Sequence, residues 1–201
     1  SNNVLTDFLA TGTYDRNRPF HTTMSPSMDI LVSSNLERLL FALSGQNDQE
    51  VAGYMKQLNE TGKYTVSSQI QARLRDDFYG GFCDEATTSQ TIAQVWKEHN
   101  YLIDPHTAVA HHVLEEYRNT TGDRRPAVFV STASPFKFCD SVLHSLGVET
   151  VREGIGALGQ LTEVTGRPAP VPLASLRDKA VRFTGSVDKG RMMDVVLDML
   201  K

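Results

Sequence analysis

Leu36, Leu39, Leu40 and Leu43 recur at helical spacing behind Ser34-x-x-Glu37, a capping-box pattern, and stop before Gly45. With Glu37 and Arg38 on its polar face, this segment predicts an amphipathic helix whose apolar stripe has to be buried against another element. The same punctuation recurs downstream. Asn47 is a good cap, Asp48 and Glu50 fill an acidic first turn, Val51, Tyr54, Met55 and Leu58 share a face, and Gly62 is a stop. Tyr64 to Val66 is a short apolar segment, after which Ser67 predicts a cap for a helix bearing Ile70, Leu74 and Phe78 and ending at Gly80-Gly81. Thr87-x-x-Gln90 predicts another start, ahead of Ile92, Val95 and Trp96, with an end by Asn100. A helical region over about residues 34–100 follows.

From Tyr101 the texture changes to short β-like runs alternating with helical patterns, which predicts α/β construction over about 101–201. Tyr101 to Ile103 reads as a strand end followed by the turn Asp104-Pro105, and Val109, Val113, Leu114 and Tyr117 then mark a helix. Ala127-Val128-Phe129-Val130 is the strongest strand candidate, continuous and apolar as a strand buried on both faces of a parallel sheet is. It leads into the loop Ser131-Thr132-Ala133-Ser134-Pro135 and a helix with Phe138, Val142, Leu143 and Leu146, closed by Gly147. The hydroxyl loop is thereby expected at the carboxyl end of a parallel strand, where open α/β sheets bind ligands. Gly166 to Pro172 reads as an extended connection, Asp188 as the cap of a last helix with Met192, Val195, Val196 and Met199, and no internal repeat stands out. The expected fold class is α/β, helix-rich, with a few parallel strands.

Composition narrows the function classes. Twenty Lys and Arg against 24 Asp and Glu, a formal net charge of -4, supply no basic excess for phosphate backbones or anionic lipid, so neither nucleic acid nor membrane is an expected partner. No apolar run approaches the roughly 20 residues that span a bilayer, and Ser1 to Ala10 lacks the basic and apolar regions of a signal peptide. A soluble cytoplasmic chain is the expectation. Cys83 and Cys139 lie far apart with no ligand-like spacing, which predicts reduced, buried thiols rather than a disulfide framework or a zinc site.

Three short segments could carry chemistry. Ser131 to Ser134 presents hydroxyls on a loop after the apolar run, and the same hydroxyls equally suit capping the next helix. Asp104-Pro105-His106-Thr107 would place an imidazole in a cleft or simply start a helix; the sequence reveals no partner for His106. Ser25-Pro26-Ser27-Met28-Asp29 packs two hydroxyls and a carboxylate beside proline, as ligand loops and ordinary turns both do. His111 and His112 point about 100° apart on a helix and cannot form an i, i+4 metal pair. Gly154-x-Gly156-x-x-Gly159 lacks the preceding strand and acidic partner of a dinucleotide loop and reads as a glycine-rich turn.

Several of these segments, in order, resemble a known family. Ser1-Asn2-Asn3-Val4-Leu5-Thr6-Asp7-Phe8, Gly12-x-Tyr14-Asp15, Ser25 to Asp29 with Ser34 to Arg38, Cys83 to Thr88, Asp104-Pro105-His106-Thr107-Ala108 and Ser131-Thr132-Ala133-Ser134-Pro135-Phe136-Lys137-Phe138 together resemble the C-terminal part of bacterial threonine synthases. The resemblance covers nearly the whole chain, 1–201, and implies a piece of the large domain of a tryptophan-synthase-β-like (fold-type II) enzyme that uses pyridoxal 5′-phosphate (PLP). It further implies conversion of O-phosphohomoserine and water to threonine and phosphate. The N-terminal domain, the Schiff-base lysine and the glycine-rich phosphate loop would lie upstream of this region, so the chain alone is expected to be inactive and to need the remainder of its own chain.

By the same resemblance Thr132, or else Ser131, would face the pyridine nitrogen of the cofactor, where a neutral hydroxyl moderates the electron sink. Ser25, Asp29 and Arg38 would border the substrate, with Arg38 toward its phosphate. Lys137 does not match the Schiff-base position, and Ser134 stands where the family commonly has His. Two alternatives stay open: another PLP lyase or dehydratase of this fold, and a non-catalytic binding or assembly module.

Overall fold

A computed structural model describes residues 2–200; Ser1 and Lys201 lie outside the described residues, and with Ser1 the first position of the resemblance. The order of elements is α1 (Val4–Thr11), β1 (Thr13–Asp15), a 3-10 turn at Pro26–Met28, α2 (Ser34–Leu43), α3 (Asp48–Thr61), β2 (Lys63–Thr65), α4 (Ser68–Asp77), α5 (Glu85–His99) and α6 (Pro105–Thr121). It continues with a 3-10 turn at Pro135–Lys137, α7 (Cys139–Ser145), α8 (Ile155–Thr165), α9 (Val171–Ala174), 3-10 turns at Ser175–Asp178 and Lys189–Arg191, and α10 (Met192–Met199).

Two buried cores divide these elements. The first gathers α1 to α4 around Phe8, Tyr14, Leu40, Tyr54, Tyr64 and Leu74. At its centre, Tyr14 and Tyr64 are the middle pair of an antiparallel ribbon, Thr13↔Thr65, Tyr14↔Tyr64 and Asp15↔Lys63. Directly opposite residues share a face, so the two rings stack with centroids 5.4 Å apart and planes 1° from parallel. Tyr54 stacks on the other side of Tyr64 at 5.3 Å, and Phe8 meets both ribbon tyrosines edge-on.

The ribbon is made by one local device used twice. Thr11-Gly12-Thr13-Tyr14 ends α1 and Thr61-Gly62-Lys63-Tyr64 ends α3, with the glycines at φ 74° and 79°, in the left-handed region where a Cβ is penalised. In each copy the threonine hydroxyl donates back to a carbonyl one turn earlier, Asp7 or Gln57, and accepts the N–H of the residue after the glycine. This four-residue repeat was visible in the sequence, although its spacing of 50 residues hides it from a search for long repeats.

Several helix starts differ from the sequence reading. Asn47 caps α3 as expected, accepting the Glu50 N–H at 3.1 Å. Ser34, however, lies inside α2; Ser33 is the cap residue and its side chain makes no capping bond. The Ser33 N–H donates instead to the Tyr14 hydroxyl at 3.0 Å, and that hydroxyl donates to the Leu31 carbonyl. At α4 the Ser67 N–H likewise donates to the Tyr54 hydroxyl. Distant phenols thus accept the N–H of each cap residue, while neither serine side chain makes a capping bond. α4 stops at Asp77, short of Gly80-Gly81, and leaves Phe78 exposed. α5 begins two residues before Thr87, because Asp84 accepts the Thr87 N–H and outcompetes the Thr87-x-x-Gln90 box.

The second core gathers α5 to α8 around Ile92, Ile103, Ala108, Phe136, Val142, Leu143 and Leu161. Here the α/β expectation needs correction. The sheet is two-stranded and antiparallel, lies in the first core, and among the described residues no parallel strand forms. Ala127 to Val130 is not a strand: Val128 is 90% and Val130 79% exposed. A strand buried on both faces needs neighbours along both edges, and the described residues supply none. Tyr101 to Ile103 is also irregular, bridging Asn100, which ends α5 in a left-handed conformation, to Asp104, which caps α6 ahead of Pro105. Gly154 alone of its trio marks a turn; Gly156 and Gly159 lie within α8. Asp188 precedes the 3-10 turn at Lys189–Arg191 rather than α10 itself. No helix among the described residues is long and apolar enough to cross a membrane.

Candidate functional site

The two cores meet at a loop of small residues. Gly81 lies where an added Cβ would come within 2.8 Å of Val113 on α6, and its carbonyl accepts the Thr6 hydroxyl of α1 at 2.8 Å. This close approach leaves a cleft of about 420 Å³ between α1, the Ser25–Asp29 turn and α6; Ser25, Asp29, Glu85 and His106 are among its polar walls, Leu5 and Val113 among its apolar ones.

Behind His106, which lines the cleft, sits Asp104, completely buried although it is a carboxylate. Burial of such a group is tolerated only where donors surround it. Asp104 has three: its Oδ1 accepts the His106 N–H at 2.9 Å and His106 Nδ1 at 2.8 Å, and its Oδ2 accepts the Thr107 hydroxyl at 2.5 Å. Pro105 at the first helical position suits this geometry, since it has no N–H to satisfy. His106 Nε2 in turn accepts the Ser27 N–H at 3.1 Å, and its ring stands edge-on to Phe138 with centroids 4.9 Å apart. On the other side of Asp104, Thr107 Oγ1 lies 2.9 Å from Ser131 Oγ. The partner that His106 lacked in the sequence is therefore the aspartate two residues before it, and Asp-x-His is the spacing that an aspartate N-cap allows. That was the signal available and not used.

The Ser25–Asp29 turn is equally built. Asp29 Oδ1 accepts Asn2 Nδ2 at 3.0 Å and the Thr23 hydroxyl at 2.7 Å, while Oδ2 accepts the Thr23 N–H at 2.7 Å. Ser25 Oγ lies 3.2 Å from Thr23 Oγ1, and the Met24 N–H donates to the Glu85 carboxylate at 3.0 Å. Asp29 thus spends its lone pairs on holding the turn, while Ser25 borders the cleft. Three separate motifs, Ser25–Asp29, Asp104–Thr107 and Ser131, form one hydrogen-bonded unit.

Other candidates fall elsewhere. Thr132, next to Ser131, is exposed and makes none of the hydrogen bonds found among the described residues. Arg38 is exposed on α2, hydrogen-bonded to Asn35 Oδ1, and lines a separate depression with Phe41 and Asp48. Lys137 is exposed beside a second depression of about 550 Å³ that also touches Pro26 and Phe138. Both thiols are free and buried, and burial pushes Cys83 up from its ordinary value and Cys139 up to about 11. His111 and His112 are half-buried; burial holds the His111 imidazole below its usual range.

Comparison with known proteins covers part of this unit. Residues 107–189, from Thr107 through Ser131 and Thr132, match the family described as "Threonine synthase, C-terminal". The threonine synthase of Pseudomonas aeruginosa is 38% identical over 141 residues, 70% of this chain and 29% of that protein. The chain is a homologue of the C-terminal region of threonine synthase. "Threonine synthase-like 1" of Macaca fascicularis is 35% identical over 153 residues, 76% of this chain and 20% of that protein. The solved structure of PLP-bound threonine synthase from Brucella melitensis superposes with a TM-score of 0.73 at 33% identity, covering 91% of this chain and 35% of that one. The chain thus spans less than a third of the length of these two curated relatives. The helix-rich fold corresponds to part of threonine synthase, a fold-type II enzyme.

Proposed function

We propose that this chain is the C-terminal part of a threonine synthase, converting O-phosphohomoserine and water to threonine and phosphate once joined to the rest of its own chain. The observation that carries the reading is the hydrogen-bonded unit that ties the Ser25–Asp29 turn, through His106, Asp104 and Thr107, to the hydroxyl loop at Ser131. A turn bordering a cleft and a loop with one tied and one free hydroxyl are what a substrate wall and a cofactor contact require.

The residues present fit PLP as neutral contacts. Thr132 has an exposed hydroxyl without a partner among the described residues, and it stands beside Ser131, whose position is fixed by Thr107. Thr132, with Ser131 behind it, would hold the ring-nitrogen edge of the cofactor. When bound, PLP supplies an electron sink for carbanions next to the amino-acid Cα. A hydroxyl, unlike a carboxylate, does not force a proton onto the ring nitrogen and so leaves that sink moderate. Ser25 would contact the substrate, and Asp29 would act by holding the turn rather than by touching it. Arg38, which lies outside the walls of the cleft, would reach the substrate phosphate only if the rest of the protein extended the site over α2. The exposed Ala127–Val130 segment would pair as a strand with the sheet of the missing part, which is where the expected parallel strands would arise.

A second reading, a non-catalytic module, is favoured by the match to a protein named threonine synthase-like 1. One experiment separates them: the protein at its natural full length is mixed with PLP and O-phosphohomoserine, and phosphate release is followed with the PLP absorbance. Phosphate release with threonine formation is expected there, and none from residues 1–201 alone. PLP binding without phosphate release, but with keto-acid formed from serine or threonine, points to another lyase of the fold; failure to bind PLP points to the module.

A further inference from the structure

The cleft holds a histidine whose two ring nitrogens face opposite demands. Asp104 Oδ1, 2.8 Å from Nδ1, only accepts hydrogen bonds. The Ser27 N–H, 3.1 Å from Nε2, only donates them. We infer that His106 is a positioning residue, a neutral imidazole with its proton on Nδ1 that fixes the Ser25–Asp29 turn against the Ser131–Thr132 loop.

The other neighbours hold the ring in this orientation. Asp104 cannot swing away, because it is fully buried and also receives the His106 N–H and the Thr107 hydroxyl. Phe138, edge-on to the imidazole, restricts its rotation. The Thr107 hydroxyl is aimed at both Asp104 Oδ2 and Ser131 Oγ, so its one proton sits between the carboxylate and the hydroxyl loop. The turn, through His106, and the hydroxyl loop, through Thr107, are thereby both tied to one carboxylate. A second proton on the imidazole would set Nε2–H against the Ser27 N–H and release the turn, leaving the Asp104 end intact. The charged and titratable groups facing the ring are Asp104, the cap of its own helix, Asp29, Tyr79, Cys83 and Glu85 on the walls of the cleft, and Lys137 and Asp140 on the Phe138 side. The catalytic consequence rests on the threonine synthase reading; the tautomer and the Ser27 contact do not.

The test uses the full chain labelled with 15N. Histidine 15N shifts at neutral pH are expected to show His106 in the Nδ1–H form, and the Ser27 amide is expected to move on the same acid titration curve as His106. An Nε2–H form, or a Ser27 amide indifferent to that titration, overturns the inference even if every variant fails to fold. His106→Gln places an acceptor near the Nε2 position, whereas His106→Asn keeps a donor near Nδ1 and loses the acceptor for Ser27. Ser27 amide exchange is expected to stay slow in His106→Gln and to quicken about tenfold in His106→Asn, the worth of one hydrogen bond; equal rates overturn the latch. In the full-length enzyme His106→Asn is expected to raise KM for O-phosphohomoserine more than it lowers kcat, and a fall in kcat alone overturns the positioning of the turn. A wild-type enzyme with no activity overturns the proposed function instead and leaves the NMR result standing.

Discussion

Tyr64 and Val130 are both apolar side chains in short extended segments, yet Tyr64 is 3% and Val130 79% exposed. The difference lies in what surrounds each segment. Around β2 the first core closes on itself: α1, α3 and α4 cover the ribbon, and the Tyr14 and Tyr54 hydroxyls find partners within the same 80 residues. Around Ala127–Val130 nothing comparable exists; of that run only Phe129 finds an aromatic partner, stacking on His111 at 5.4 Å. Further along, Val181, Phe183 and most apolar residues of α10 are exposed as well. A segment's own sequence fixes how much it wants burial, whereas neighbours decide whether it receives any. The first region carries its neighbours within the chain, and the second exposes apolar side chains that the described residues do not cover.

The comparison breaks or holds on one pair of substitutions. Leu40→Ala, at a fully buried site, is expected to cost about 2–5 kcal/mol in urea unfolding, and Val128→Ala under about 0.5 kcal/mol in the same chain. If the rest of the protein covers the second region, Val128→Ala should cost about 1–2 kcal/mol at full length. Equal and small costs in both settings would mean that the exposed segment has no partner. Gly81→Ala tests the joint between the two regions. Its Cβ would meet Val113 at 2.8 Å, so α1 and α6 must part slightly, for an expected loss of about 1–3 kcal/mol and a larger drop in protection at Thr6 and Val113 than within either core.

Legibility followed the range of the signal rather than the region. Helical stripes and capping residues located α2 and α3 in the first region and α5 and α6 in the second to within a few residues, because these signals act locally, between residues on one helix face, whereas α1 and β1 were not read as elements. What failed was whatever depended on a distant group. Ser34 matched a capping box, but the Tyr14 hydroxyl serves the start of α2; Ala127–Val130 matched a buried strand, but strand pairing needs an edge from elsewhere. The candidate site shows both sides of this. Ser25–Asp29, Asp104–Thr107 and Ser131 were each suspected separately, and only the fold joins them. The Asp104–His106 bond was within reach, since an N-cap aspartate faces the first turn it caps.

Alkaline pH sharpens the contrast inside the second core. Burial raises the Cys139 thiol from 9.0 to about 11, so the folded form keeps a proton that the unfolded chain has already lost. Its contribution to stability is complete below about pH 9 and falls away as pH climbs toward 11, because there the unfolded state binds fewer protons. Urea midpoints should therefore drop over that interval, and Cys139→Ser should flatten the drop. A slope unchanged by Cys139→Ser would assign the alkaline loss to another group.

The smallest expected effect separates local from distant capping. Asn47 accepts the Glu50 N–H with its own side chain, so Asn47→Ala should cost about 1 kcal/mol, and Asn47→Asp very little because a carboxylate also suits a helix start. Ser34→Ala should lie within about 0.5 kcal/mol of zero, since Ser34 is inside α2 and the Ser33 N–H is served from Tyr14. Tyr14→Phe then becomes the informative partner: it removes one oxygen that both accepts from Ser33 and donates to Leu31, and it should cost more than Ser34→Ala although it lies 20 residues away. If Ser34→Ala proved the costlier of the two, the start of α2 would be capped by its own sequence, and the division between helix ends set locally and helix ends set by the core would fail where it is easiest to measure.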